Sequence, residues 1–141
     1  MGNGDRALAE ETVVPIKADS DIVTARQQGR AFASLLGFSA MEATLVAAAI
    51  SELARNIVLY AARGEIAVTA VDDGGGRRGV LLVARDKGPG IPDVRRATAG
   101  GYSTSSGLGL GLAGVRRLMD EFEIVSDVGI GTTVTAKKWK Q

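Results

Sequence analysis

The stretch Gly107-Leu108-Gly109-Leu110-Gly111-Leu112-Ala113-Gly114 decides the fold, because two incompatible readings compete for it. From Gly109 onward it fits G-x-G-x-x-G, the dinucleotide-binding fingerprint, which needs a strand before it and a strand–helix–strand unit around it. The surroundings supply neither. Tyr102-Ser103-Thr104-Ser105-Ser106 upstream is polar and loop-like, and the strands expected after the helix form a hairpin. A P-loop is excluded too, since no Gly-Lys-Ser/Thr follows the glycines. What remains is a glycine-rich entry into a helix, which presents several N–H groups at the positive end of the helix dipole and so makes a phosphate site. Alternating Gly107, Gly109 and Gly111 would each cost chain entropy in a purely packing role. The hydroxyls of Ser103 to Ser106 add donors just before them.

Working outward, the spacing predicts a helix over about 110–119, then strands over 122–125 and 132–136 around Asp127-Val128-Gly129-Ile130-Gly131. Upstream, 65–71 and the apolar run 80–85 read as two strands joined by a flexible loop, Asp72 to Gly79. Before them, Thr12 to Ile16 is a short strand that Pro15 confines to an edge. Asp19 and Ser20 can cap a helix to about Leu36, closed by Gly37. Ser39 and Glu42 form a capping box for a long helix to about Arg63, stopped by Gly64. In it Val46, Ile50, Leu53 and Ile57 recur at helical spacing, which makes a buried stripe. Residues 1–10 read as a loose tail and 11–141 as one domain. Segregated helices and hairpin-linked strands give α+β: a two-layer sandwich with helices on one face of a mixed, mostly antiparallel sheet.

Composition narrows the chemistry. The 141 residues carry 17 Lys/Arg against 16 Asp/Glu, and no Cys or His. That removes disulfides, thiol nucleophiles, zinc sites, Ser-His-Asp triads and phosphohistidine. Proton transfer is left to a carboxylate, Lys or Tyr, and any metal must be a hard ion held by oxygen, such as Mg2+. Net charge is +1, the paired Arg and Lys residues are dispersed and aromatics are 4%, so nucleic-acid binding has little support. The first residues carry no apolar signal core, and no apolar run approaches the ~18 residues of a membrane span. The expectation is a cytoplasmic protein acting away from the membrane.

Two further pieces carry chemistry. Glu52 and Asn56, four apart on the long helix, share a face beside the apolar stripe and can sit at a pocket rim. A carboxylate there can take a proton from an attacking hydroxyl, and an amide oxygen suits Mg2+; taken alone, such a pair is more often simply solvated. The other piece is Asp86-Lys87-Gly88-Pro89-Gly90-Ile91-Pro92, directly after a buried strand. Asp86 can accept a hydrogen bond from the amino group of a planar ring, with Gly88 and Gly90 allowing close approach; an ordinary strand-end turn is an equally good account.

In combination the pieces gain force. Glu52-x-x-x-Asn56 on a helix, Asp86-x-Gly88-x-Gly90 after a strand, Gly107-x-Gly109-x-Gly111 before a helix and Gly131-Thr132 at a hairpin follow one another in an order that resembles the GHKL (Bergerat-fold) nucleotide-binding family, over roughly residues 10–140. The resemblance implies ATP as substrate, with Glu52 as base, Asn56 ligating Mg2+ and Asp86 reading the adenine amino group. Gly88 and Gly90 would shape the adenine pocket, and Thr132 would support Asp86 through its hydroxyl. Ser105, Ser106, Gly107, Leu108, Gly109, Leu110 and Gly111 would line the phosphates, with a lid over about 92–106.

Within that family, Ser51-Glu52-Leu53-Ala54-Arg55-Asn56-Ile57, Gly101-Tyr102-Ser103-Thr104-Ser105 and Arg116-Arg117-Leu118-Met119-Asp120-Glu121-Phe122 resemble the small serine/threonine kinases of bacterial stressosome partner switching. Such kinases phosphorylate STAS-domain scaffold and antagonist proteins, then activate a PP2C-type phosphatase. The alternative is an anti-sigma factor with serine kinase activity that holds a sigma factor. Arg116 and Arg117 are expected on a solvated helix face, and Trp139 in edge packing.

Overall fold

A computed structural model of the chain describes residues 6–7, 11–91 and 111–141. In chain order the elements are β1 (Arg6–Ala7), β2 (Thr12–Ile16), α1 (Asp19–Leu35), α2 (Ala40–Asn56), a π-helical turn (Ile57–Ala61), β3 (Gly64–Asp72), β4 (Arg78–Asp86), α3 (Gly111–Leu118), β5 (Glu121–Asp127) and β6 (Gly131–Trp139). The sheet runs β1-β3-β4-β6-β5, and β2 pairs with β3 further along the edge that β1 occupies. Every pairing described is antiparallel. The expected α+β sandwich is present, and its sheet is antiparallel throughout these pairs.

Strand alternation sorts the core. Ile66 and Val68 of β3, Val80, Leu82 and Ala84 of β4, and Val134 and Ala136 of β6 are buried in one cluster with Val46, Ile50 and Leu53 of α2, Ile57 of the π-turn and Val115 of α3. The predicted stripe of α2 is the seam between layers, each large side chain contributing roughly 1.5–3 kcal/mol by leaving water. The Ser39–Glu42 capping box forms as read: Glu42 N–H donates to Ser39 Oγ at 3.0 Å and Ser39 N–H to Glu42 Oε1 at 2.8 Å.

Several local expectations need correction. The first helix is capped at Ala18, which has no side-chain acceptor; Asp21 Oδ2 instead takes the N–H groups of Lys17 (2.8 Å) and Ala18 (3.1 Å). The second helix does not run evenly to Arg63: it ends at Asn56, widens into the π-turn, and stops at Ala62 with φ +70°. Gly64 is the first residue of β3 rather than a helix stop. Within the stretch read as a tail, Arg6 and Ala7 pair with Asp72 and Val71. Trp139 is buried on β6, an inner strand, with the Arg77 guanidinium 4.5 Å over its ring, rather than packed at an edge. Ala40–Ala61 has the length and mean hydropathy of a membrane span, although Glu42, Glu52 and Arg55 interrupt its apolar runs. Half of that window is buried within the fold, as befits a core helix.

Candidate functional site

Beyond Lys138, which opposes Val80 at the other end of the sheet, the helix-facing rows of three adjacent strands are apolar until their last residue. On β4 the row is Val80, Leu82, Ala84 and then Asp86; on β6 it is Ala136, Val134 and then Thr132; on β5 it is Phe122, Ile124 and then Ser126. Register places these last residues side by side, because Asp86 pairs with Thr132 and Thr132 with Ser126. Directly opposed residues project to the same face, so the core ends in a polar ledge of one carboxylate and two hydroxyls. Ser126 Oγ and Thr132 Oγ1 are 2.7 Å apart, and Thr132 is only 8% exposed. Asp86 Oδ1 accepts the Gly88 N–H at 2.8 Å, and Oδ2 has no partner among the described residues.

Glycines bring the end of α2 against this ledge. A Cβ on Gly64 would stand 3.1 Å from both Asp86 Cβ and Ile57 Cγ2, so β3 passes between the aspartate and the first residue of the π-turn with no room for a side chain. A Cβ on Gly88 would lie 2.6 Å from Ala61 Cβ, at the other end of that turn. Gly90, with φ +80°, lets the following chain lie against the carbonyl of Asp127, a place where any side chain would both strain and collide. Two bonds hold this loop to the β5–β6 hairpin: Gly129 N–H to Pro89 O at 2.8 Å and Ile91 N–H to Ser126 Oγ at 2.7 Å.

Of the acid–amide pair, Asn56 is the last residue of α2 and Glu52 lies one turn back. Glu52, with a side chain 12% exposed, uses both carboxylate oxygens. Oε2 meets Arg55 Nη1 at 2.9 Å, and Oε1 accepts the N–H of Gly111, the first residue of α3, at 3.1 Å. The second bond spans 59 positions of sequence and ties the helix that opens after the glycine-rich run to the carboxylate on α2. A carboxylate at a helix N-terminus is favourable electrostatically, and it occupies an N–H that can also serve an anionic ligand. Asn56 is half-buried, and its amide makes no side-chain hydrogen bond among the described residues. The carboxyls held below their ordinary range lie away from this cleft. Glu42, at the far end of α2, is lowered chiefly by the Ser39 N–H, and Asp73, at the far end of β3, chiefly by the Gly75 N–H.

The structure thus gathers Glu52, Asn56, Asp86, Gly88, Gly90, Gly111 and Thr132 at one end of the molecule, around the junction of α2, the sheet end and α3. Ser105, Ser106, Gly107, Leu108, Gly109, Leu110 and the span read as a lid, about 92–106, lie outside the described residues. The hydroxyl of Thr132 differs from expectation: its partner is Ser126, not Asp86. Ser126 and Arg55 went unassigned in the sequence. The signal for Ser126 was its period-two spacing from Phe122 and Ile124, legible only once the strand is known to continue past Val125. Arg55 sits three residues from Glu52, a spacing that faces the two side chains toward each other.

The donor set suits Mg2+ only as a shared ligand. No group of three or more His, Cys, Asp or Glu that could cage an ion occurs among the described residues. Mg2+ commonly takes one or two protein oxygens and completes its shell with phosphates and water, and the unengaged amide oxygen of Asn56 fits that role.

Comparisons with known proteins identify the family. Residues 41–141 match the family described as histidine kinase-, DNA gyrase B-, and HSP90-like ATPase. The chain is 50% identical over 132 residues to the serine/threonine-protein kinase RsbT of Bacillus subtilis, covering 94% of this chain and 98% of that protein. It is 33% identical over 112 residues to the anti-sigma F factor of Halalkalibacterium halodurans, 77% of each chain. Against the anti-sigma F factor of Geobacillus stearothermophilus it is 31% identical over 121 residues, 81% of each. With the cleft, the motif order and these matches in agreement, the chain belongs to the histidine kinase-, DNA gyrase B- and HSP90-like ATPase family.

Proposed function

We propose that this protein is an ATP- and Mg2+-dependent serine/threonine protein kinase of a bacterial partner-switching stress pathway, acting in the cytoplasm. The observation that carries the reading is the juxtaposition at Gly64, where the sheet-end aspartate and the end of α2 approach a common point within 3.1 Å. One nucleotide can then touch Asp86 with its base and the Glu52–Asn56 face with its phosphates. The extensive identity to a serine/threonine-protein kinase supports protein phosphorylation over plain ATP hydrolysis.

In this reading Asp86 Oδ2 accepts the adenine amino proton, and Thr132 supplies a hydroxyl beside it. Asn56 holds Mg2+, which when bound offsets phosphate charge. The first N–H groups of α3, with the glycine-rich run before them, receive the phosphates. Glu52 takes the proton of the incoming Ser or Thr hydroxyl, so its bond to Gly111 must give way when nucleotide and acceptor enter. A positioned base contributes about 10²–10⁴ in rate. The acceptors we propose are STAS-domain scaffold and antagonist proteins, and after release the kinase activates a PP2C-type phosphatase.

Incubation with Mg-ATP and candidate STAS proteins, followed by intact-mass analysis, tests this. A gain of one phosphate on the STAS protein is expected; brisk ATP hydrolysis without any acceptor would count against it. The anti-sigma F matches favour a second reading, a sigma-factor-holding kinase. Capture of a sigma factor rather than a STAS protein or phosphatase in a pull-down would select it.

A further inference from the structure

A backbone N–H narrows the ways in which the two hydroxyls of the polar ledge can bond to each other. Ile91 N–H can only donate, so Ser126 Oγ accepts there at 2.7 Å. The single proton of Ser126 then has two acceptors, Thr132 Oγ1 at 2.7 Å and the Gly131 carbonyl at 3.3 Å. Only the first has the ordinary length of an O–H···O bond. If Ser126 donates to Thr132, the Thr132 proton has no acceptor among the described residues and is left on the face it shares with Asp86.

We propose that Ser126 is a specificity-determining positioning residue: by donating to Thr132 it makes Thr132 present a donor to the bound purine beside the acceptor Asp86. This rests on the reading of the cleft as an adenine-nucleotide site. Adenine offers an amino donor at position 6 and a ring-nitrogen acceptor at position 1, whereas guanine offers a carbonyl acceptor and an N–H donor at the same places. A ledge that reads acceptor then donor matches adenine and opposes guanine at both positions. Without the Ser126 hydroxyl, Thr132 loses the bond that fixes its polarity and can turn either its lone pairs or its proton to the base.

Equilibrium titration with Mg-ATP and Mg-GTP tests the inference. Ser126→Ala is expected to lower ATP affinity about five- to tenfold while leaving GTP affinity level or higher, so that the preference for ATP shrinks. Ser126→Thr, which keeps the hydroxyl, restores most of the preference. Ser126→Cys keeps the size with a weaker donor and must shift the ratio the same way, which covers an unstable alanine variant. In a Thr132→Val background Ser126→Ala should change the ratio no further, because the serine acts through the threonine. Equal loss of both nucleotides in Ser126→Ala, or an unchanged ratio, overturns the proposal. Failure of the unaltered protein to bind either nucleotide instead overturns the adenine-site reading on which it stands.

Discussion

The two walls of the cleft are built by different means. Asp86, Thr132 and Ser126 are fixed by the register of three neighbouring strands and by the buried rows that end in them, so their relative positions are as firm as the sheet. Glu52 and α3 meet through one 3.1 Å bond between residues 59 apart. The base wall is preorganised, whereas the phosphate wall must exchange a protein carboxylate for ligand oxygens before chemistry can occur. A kinase built this way should choose its base with rigid parts and perform transfer with parts that rearrange.

The sharpest way to break that contrast is Glu52→Gln. Phosphoryl transfer is expected to fall about 10²–10⁴-fold while ATP affinity is kept; an affinity loss as large as the rate loss would make Glu52 a binding residue. On the other wall, Asp86→Asn should weaken ATP by about 10–100-fold, the scale of a hydrogen bond to a charged group, with little effect on GTP. Equal loss of both nucleotides would remove Asp86 from base reading.

The joint between the walls is Gly64. Gly64→Val has no space beside Arg85, Asp86 and Ile57, so an overpacking cost of about 1–3 kcal/mol is expected in urea unfolding, with weaker ATP binding in the fraction that folds. Full stability and full binding in the Gly64→Val protein would mean the two walls do not meet there. Ser39→Ala, at the far end of α2, serves as the contrasting control. It should cost about 1 kcal/mol through loss of the cap and leave nucleotide affinity alone.

The smallest effect concerns pH. Glu42 is held below its ordinary range, first by the Ser39 N–H and also by the Gln141 N–H. A lowered folded-state value means its contribution is complete above the unfolded glutamate value and disappears as pH falls through the folded one. The acid limb of stability should therefore be shallower in Glu42→Gln, with no change near neutrality in its slope; an unaltered acid limb would show the cap carboxylate to be inert.

Much of this was legible in the chain, for reasons visible at particular residues. Ser39 and Glu42 announce a helix because capping is local, and Val46, Ile50, Leu53 and Ile57 announce its buried face because periodicity is local. What misled was non-local. Gly64 reads as a helix stop until β4 is placed beside it, where it proves to be the clearance between Asp86 and Ile57. Ala18 is the local exception: it carries no cap signal because Asp21, three residues on, does the work from inside the helix. The Glu52–Asn56 spacing and Asp86 pointed to a site, yet the bond of Thr132 to Ser126 depends on β5–β6 register, which sequence does not show. The seam of the cleft follows the same rule: motifs name the residues, and register decides which of them touch.

The most direct test of the central claim is a crystal structure with Mg2+ and a non-hydrolysable ATP analogue. The account predicts the adenine amino group on Asp86 Oδ2, the metal on the Asn56 amide oxygen and the Glu52–Gly111 bond replaced by phosphate contacts at the start of α3. A purine bound away from Asp86, or phosphates that leave Asn56 and Gly111 untouched, would contradict it.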